Sequence, residues 1–189
     1  MFIVDKVEYR SWNPTRSKLG AVILKGLKEM PIKPGSLVLY LGVASGTTVS
    51  HVSDIVGEKG HIWGIDFAPR AVRDLLDNVI RHRKNISPIL GDARQPLSYS
   101  TLVQPVDVVF ADVAQPDQAK IIVDNAMYFL RKGGHVMLSI KARSINVKAK
   151  PSSIYKSQIK VMEEAGFSIN ETIELTPFEK DHAMVIASL

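Results

Sequence analysis

Leu37-Val38-Leu39-Tyr40-Leu41 runs without a polar break into Gly42-Val43-Ala44-Ser45-Gly46 and then into Thr47-Thr48-Val49-Ser50-His51-Val52-Ser53-Asp54. The first part reads as a strand buried on both faces, the second as a tight loop, and the third as a helix with apolar residues at helical spacing. Such a unit places loop backbone and a helix N-terminus at the C-terminal end of a parallel strand. Open α/β sheets hold nucleotide-like ligands there. Asp66 follows Gly46 by 20 residues and ends a second apolar run, Ile62 to Ile65. A carboxylate at that point can accept hydrogen bonds from ribose hydroxyls. The loop is Gly-x-x-x-Gly rather than Gly-x-Gly-x-x-Gly. Ala44 takes the place of the middle glycine and Thr47 that of the last. Those glycines let a backbone approach a pyrophosphate, so their absence argues against a dinucleotide and against an oxidoreductase. A nucleoside without phosphates, such as S-adenosylmethionine, fits the loop.

The rest of the chain repeats this alternation. Strands are expected at Leu37–Leu41, His61–Ile65, Ile86–Leu90, Val106–Ala111, His135–Ile140, Ser168–Leu175 and Ala183–Ala187. Helices are expected at Lys18–Glu29, Thr47–Val56, Pro69–Arg81, Gln118–Leu130 and Ile154–Ala165. Pro69 suits a first helical turn, while Gly133-Gly134 and Gly166 suit helix ends. Strand alternating with helix means a parallel sheet covered on both faces. The last two strands are joined by only seven residues, Thr176 to His182. That link suits a hairpin, so one of the two is antiparallel. The expected fold is α/β and Rossmann-like, as in S-adenosylmethionine-dependent methyltransferases. It has a seven-stranded, mostly parallel sheet, a C-terminal antiparallel hairpin and helices on both faces. No internal repeat or interdomain linker is visible.

The 189 residues suffice for one core. The absence of cysteine excludes a disulfide framework, a thiolate zinc site and a cysteine nucleophile. No apolar run approaches the roughly 18 residues of a membrane span, and Asp5 and Lys6 interrupt any signal-peptide pattern, so a cytoplasmic protein is expected. The net charge of +5 matters through its placement. Arg10 to Lys28 holds five basic residues and no acid, and Lys141 to Lys160 holds six and no acid. Each cluster taken alone can be a solvated face. Together, beside the expected ligand crevice, they suit a nucleic-acid backbone.

Several residues stand where ligand chemistry is needed. Thr47 and Thr48 open a helix. One threonine is expected to cap it, and the pair also offers hydroxyls and N–H groups to a carboxylate. Asp66 either caps the Pro69 helix or binds ribose, and Phe67 beside it can pack in the core or flank adenine. Asp92 follows the third strand, as a turn residue or as an acceptor for the adenine amino group. Asp112 ends the fourth strand and Lys141 the fifth. These neighbouring strand ends converge on one crevice. Lys18 precedes the first strand. His182 begins the last, and taken by itself it reads as an ordinary surface or packing histidine. His51 is read as structural. No His-Glu-x-x-His pattern or carboxylate cluster is present, and no metal is expected.

Five segments together resemble the methyltransferase domain of fibrillarin. They are Tyr9-Arg10-Ser11-Trp12-Asn13-Pro14-Thr15-Arg16-Ser17-Lys18-Leu19, Tyr40 through Asp54, Asp112-Val113-Ala114-Gln115-Pro116-Asp117-Gln118, Ile140-Lys141-Ala142-Arg143-Ser144 and Asp181-His182-Ala183. The resemblance runs in unbroken order from Tyr9 to the C-terminus. It implies a methyltransferase domain over residues 9–189 preceded by a short N-terminal remnant, residues 1–8, where the family carries a small β-rich region. It implies an archaeal form, since the Gly/Arg-rich tail of eukaryotic members, which act in the nucleolus, is absent. Val43 stands where alanine is usual, and Asp66 where glutamate is common.

The activity implied is S-adenosylmethionine-dependent 2'-O-methylation of ribose in rRNA, with tRNA as a second candidate substrate. The family's cofactor contacts carry over to Gly42, Ala44, Thr47, Thr48, Asp66, Phe67, Asp92, Ala93, Asp112, Val113, Ala114 and Gln115. Its catalytic set becomes Lys18, Asp112, Lys141 and His182. The implied partners are a box C/D guide RNA, a Nop-family scaffold protein and a kink-turn-binding, ribosomal-protein-like subunit. Positioning of the 2'-hydroxyl at near-attack distance can supply ~7–11 kcal/mol. Lysines would stabilise the developing alkoxide. The sequence leaves open which member takes the proton. Two alternatives stand beside this reading. One is a methyltransferase acting on a protein side chain or small molecule, the other a non-catalytic RNA-binding assembly subunit.

Overall fold

The computed structural model describes residues 2–189. Five parallel strands form the body of the sheet. They are β3 (Leu37–Leu41), β4 (His61–Asp66), β5 (Ile86–Leu90), β6 (Val106–Ala111) and β7 (Leu130–Lys141). β8 (Ser168–Glu174) and β9 (His182–Ser188) complete it in the order β5-β4-β3-β6-β7-β9-β8. β9 lies antiparallel to both β7 and β8, so the expected hairpin closes one edge. The strand order reverses between β4 and β6 around β3. That is the switch point where a crevice opens at the C-terminal strand ends.

Period-two alternation sorts each strand between two cores. Leu39, Leu41, Val109, Ala111, Leu138 and Ile140 face one side, packed with α4 (Gln118–Phe129) and α6 (Pro151–Glu164). Val38, Tyr40, Val108, Phe110 and Met137 face the other, packed with α1 (Lys18–Leu24), α2 (Thr47–Val56) and α3 (Pro69–Asn78). Both sides are apolar, so these strands read as continuous hydrophobic runs. Each fully buried Val or Leu contributes about 1.5–3 kcal/mol of transfer free energy.

The structure corrects several boundaries. α1 stops at Leu24, short of Glu29, because Gly26 adopts φ 91° and the chain turns. α3 ends at Asn78 and passes into a 3₁₀ turn at Ile80–His82, next to the β-branched Val79. Gly133-Gly134 does not end a helix. α4 stops at Phe129, and Leu130 already pairs with Val106, so both glycines lie inside β7 beside a register shift. A single turn, α5 (Ala142–Ile145), follows β7, and α6 starts three residues early at Pro151, which occupies the first helical turn as Pro69 does in α3. Neither threonine caps α2. Its N-cap is Gly46, at φ 101°, with no side-chain cap.

The segment read as a remnant holds a small antiparallel hairpin, β1 (Phe2–Val4) and β2 (Val7–Tyr9). Asp5 and Lys6 turn it with φ of 49° and 65°, the signature of a two-residue hairpin loop. Met1 lies outside the described residues. The extra bulk of Val43 is absorbed by the fold, since its side chain packs against the bare Cα of Gly64 in β4.

Candidate active site

Three adjacent strand ends are stitched together before any ligand arrives. Gly42 N–H donates to Ile65 O at 2.8 Å, and Asp112 N–H donates to Leu41 O at 2.9 Å. A Cβ on Gly42 would lie 2.8 Å from the Asp112 carbonyl oxygen, and its φ is 82°. Glycine is therefore required for the loop to lie flat on the end of β6. Asp66 fixes the same loop from the other side. Its Oδ2 accepts from Ala44 N–H at 2.8 Å, and its Oδ1 accepts from Ala68 N–H at 3.0 Å.

These elements enclose a cavity of about 440 Å³, within the size range of small-ligand sites. Its walls bring together Gly42, Ala44, Asp66, Phe67, Ala93, Asp112, Val113, Ala114, Gln115 and Lys141. Phe67 is 61% exposed at the cavity wall, an aromatic face that a flat ring can cover. The Gln115 Oε1 atom is buried without a hydrogen-bond partner. An orphaned acceptor beside a carboxylate and an aromatic ring suits a ligand with amino, hydroxyl and ring groups, as S-adenosylmethionine has.

Three residues read as cofactor contacts stand differently. Thr47 faces a second cavity, lined by Arg10, Arg16, Ser45 and Ser50. Thr48 is turned into the fold as the hydrogen-bond partner of the Tyr40 hydroxyl. Burial, together with the Asp112 charge, raises that phenol far above its usual range. The Asp92 carboxylate is held by its own loop. Arg94 donates to it from its backbone N–H at 2.9 Å and from Nη2 at 2.9 Å, and this pairing lowers the carboxyl pKa.

Asp112 joins the cavity to a charged cluster. Lys141 Nζ lies 2.9 Å from its Oδ1 and donates to its main-chain oxygen at 2.8 Å. Lys18 Nζ lies 3.4 Å from its Oδ2. Oδ1 nevertheless makes no hydrogen bond of good geometry and is buried, so Lys141 reaches it as a charge more than as a directed donor. His182 pairs with Lys141 across β9 and β7. Its Nδ1 lies 2.7 Å from Lys180 O. A carbonyl only accepts, so Nδ1 carries the hydrogen and the lone pair of the neutral ring sits on Nε2. The structure thus gathers Lys18, Asp112, Lys141 and His182 at one place, from α1, β6, β7 and β9.

Two further residues serve this cluster, and the sequence reading gave them no role. The side chain of Gln118 is fully buried. Its Oε1 accepts from Lys141 N–H at 2.9 Å and its Nε2 donates to Lys141 O at 3.2 Å, clamping the backbone that carries the lysine. Glu179 reaches Lys18 and His182, each at 3.9 Å. No periodicity marks either. By sequence pattern Gln118 starts a helix and Glu179 belongs to a short loop.

Lys18 is set by a buried polar chain. Ser17 caps α1 by accepting from Gly20 N–H at 3.2 Å, and its Oγ lies 2.8 Å from His51 Nδ1. The His51 ring stacks on Trp12 with centroids 4.3 Å apart. Burial first, and the Arg10 charge second, push the His51 pKa down to about 4. Elsewhere the basic clusters are uneven. Arg10 is tied to Asp54 and Arg143 to Asp181, whereas Arg16, Lys148, Lys150 and Lys156 are exposed and without an ion pair among the described residues. Among those residues no three His, Asp or Glu side chains converge to hold a metal ion. No helix there is long and apolar enough to cross a membrane.

The family model for fibrillarin matches residues 1–189, the whole chain. This chain belongs to the fibrillarin family. It is 57% identical over 187 residues to the fibrillarin-like rRNA/tRNA 2'-O-methyltransferase of Aeropyrum pernix, covering 99% of this chain and 80% of that one. A solved structure of Aeropyrum pernix fibrillarin, in complex with natively bound S-adenosyl-L-methionine, superposes with a TM-score of 0.90 at 55% identity. It covers 97% of this chain and 80% of the other. The fibrillarin of a fibrillarin/Nop5p complex superposes with a TM-score of 0.88 at 43% identity, covering 98% and 86%.

Proposed function

We propose that this chain is an S-adenosylmethionine-dependent RNA 2'-O-methyltransferase, acting on ribose in rRNA and tRNA. Its target is chosen by a box C/D guide RNA within a particle built on a Nop-family protein and a kink-turn-binding subunit. The observation that carries this reading is the placement of Asp112. Its carboxylate pairs with Lys18 and Lys141, and its backbone walls the cavity that Asp66 and Phe67 close. Relatives named as rRNA/tRNA 2'-O-methyltransferases, a fibrillarin with bound S-adenosylmethionine and a fibrillarin/Nop5p complex support it. The archaeal sources of the relatives support a cytoplasmic setting.

In this reading Asp66 would hold the ribose hydroxyls with its spare lone pairs. Phe67 would cover the adenine, Ala93 would line its pocket, and Gln115 Oε1 would accept from a polar hydrogen of the cofactor. Thr47 and Thr48 would act through the N-terminal turn of α2, and Asp92 from the rim once Arg94 yields it. When bound, S-adenosylmethionine supplies an activated methyl on a sulfonium, which passes to oxygen by in-line displacement. Lys141 and Lys18 stabilise negative charge on the incoming 2'-oxygen, and Asp112 keeps both ammonium groups aimed at that point. Nε2 of His182 is the atom free to take the hydroxyl proton. Arg16, Lys148, Lys150 and Lys156 give phosphate contacts without base choice, so the target must be read by the guide.

The test is reconstitution with guide RNA and partner proteins, followed by mapping of methylated riboses. Methylation is expected at one guided position and moves when the guide is changed. Efficient, sequence-selective methylation of unguided RNA by the lone chain would refute the guided reading.

A further inference from the structure

We infer that Glu179 is a positioning residue of the methyl-transfer site, holding Lys18 and the Nδ1 side of His182 in one charge array. The inference rests on the proposed function. Lys141 contacts Asp112 twice, through the carboxylate and the main-chain oxygen. Lys18 is held less closely, 3.4 Å from Asp112 Oδ2, and its other carboxylate neighbour is Glu179, whose Oε1 lies 3.9 Å away. The Lys18 ammonium is therefore suspended between two acids on opposite elements, β6 and the β8–β9 loop. The second oxygen of Glu179 is 3.9 Å from His182 Nδ1. Read in order, Lys141, Asp112, Lys18 and Glu179 alternate in sign, and Glu179 then faces the hydrogen-bearing nitrogen of His182.

That arrangement does two things. All three side chains from Lys18 to His182 are only about one-fifth exposed, so their interactions are less screened than on an open surface. Glu179 supplies the second point that stops the four-carbon stem of Lys18 from swinging toward solvent. It also faces the nitrogen of His182 that bears hydrogen, leaving Nε2 pointed away from the acid. Lys180 O fixes the tautomer at 2.7 Å, and Glu179 adds charge to that fixed geometry. Asp181, the other acid of this turn, is taken by Arg143 at 2.9 Å. The loop itself is anchored. Glu179 N–H donates to Leu175 O at 3.1 Å and Phe178 packs on the core beneath, so the carboxylate is presented from a fixed backbone.

Glu179→Gln keeps size and polarity and removes the charge, and Glu179→Asp keeps the charge on a shorter stem. Both are compared with wild type in the guided particle, by single-turnover methyl transfer at saturating cofactor and RNA. Cofactor affinity is measured on the isolated chain by calorimetry. Glu179→Gln is expected to slow transfer about tenfold or more while cofactor affinity shifts less than about twofold, the signature of an interaction used in the transition state. Glu179→Asp recovers part of the rate. In a Lys18→Met background Glu179→Gln adds little, because the two act together. Ring ¹⁵N spectra of the isolated chain give a readout independent of turnover. Glu179→Gln moves the His182 nitrogens and leaves those of His82 and His135 in place.

Wild-type rate in Glu179→Gln, or unmoved His182 nitrogens, overturns the inference. So does a rate loss that multiplies fully with Lys18→Met. A wild-type particle that methylates no ribose refutes the methyltransferase reading itself, and the His182 spectra still decide whether Glu179 sits as inferred.

Discussion

Acid should destabilise this protein through His51 before it titrates the carboxylates. The ring is 3% exposed, sandwiched on Trp12 and bonded to Ser17, with a pKa of about 4 against the ordinary 6.5. The folded-state value is depressed, so the unfolded chain binds the proton that the folded chain refuses. Stability is intact above the unfolded value and falls as pH drops from about 6.5 toward 4. Linkage with these two values gives a loss of about 2 kcal/mol between about pH 7 and about pH 5, saturating near about 3 kcal/mol below pH 4. For a chain of this size that is about 4–8 °C in Tm at pH 5. His61 is also pushed down by burial, so the wild-type slope contains a second contribution. The comparison with His51→Asn isolates the first, since asparagine can still reach Ser17 but does not titrate. Thermal melts of both proteins across this range are the assay. The variant should be less stable at pH 7 and should lose clearly less on acidification. Parallel slopes for the two proteins would show that the buried ring is not the proton acceptor assumed here.

Two other perturbations probe the site directly. Lys141→Ala should lower single-turnover methyl transfer about 10²-fold or more, as loss of a charge-stabilising donor does, with cofactor affinity nearly unchanged. A near wild-type rate would remove Lys141 from the alkoxide. S-adenosylmethionine should raise the Tm while NADH does not, and Asp66→Ala should shrink the rise, since it loses the proposed ribose contacts and frees the N–H groups of Ala44 and Ala68. Equal calorimetric responses to the two ligands would contradict the reading of the Gly42–Gly46 loop.

What the sequence revealed follows from what its patterns record. Strands β3, β5 and β6 have the limits expected, since each begins and ends on apolar residues, although Ser87 and Asp107 interrupt the runs of β5 and β6. β7 was expected to start at His135 and starts at Leu130 instead. Arg131, Lys132 and the two glycines break the apolar run, while Leu130 pairs with Val106 ahead of them and regular pairing resumes at His135 after a register shift. Asp112 and Lys141 were legible as ends of neighbouring strands that must converge, whereas Lys18 and His182 joined them only through the family resemblance. The supports of these four residues were not legible. The Gln118 clamp on Lys141, the Glu179 contacts and the His51–Ser17 bond join residues far apart in the chain, through side chains whose type alone fits a cap, a loop or a surface. The capping role expected of Thr47 or Thr48 failed for a related reason. The tight turn needs a left-handed residue at the cap, and only Gly46 supplies it without strain.

The contact between Gly42 and the Asp112 carbonyl limits how this pocket can be re-engineered. In the proposed reading the floor under the cofactor and the acid beside the reacting oxygen are two sides of one backbone contact, with no side chain between them to trim or enlarge. A substitution that widens or narrows the cavity from below therefore displaces Asp112 and both lysines with it. Room for a bulkier alkyl donor has to be sought at the rim instead. There Phe67 is largely exposed and Ala93 stands on a separate loop, so the cavity can change shape while the transfer geometry stays fixed.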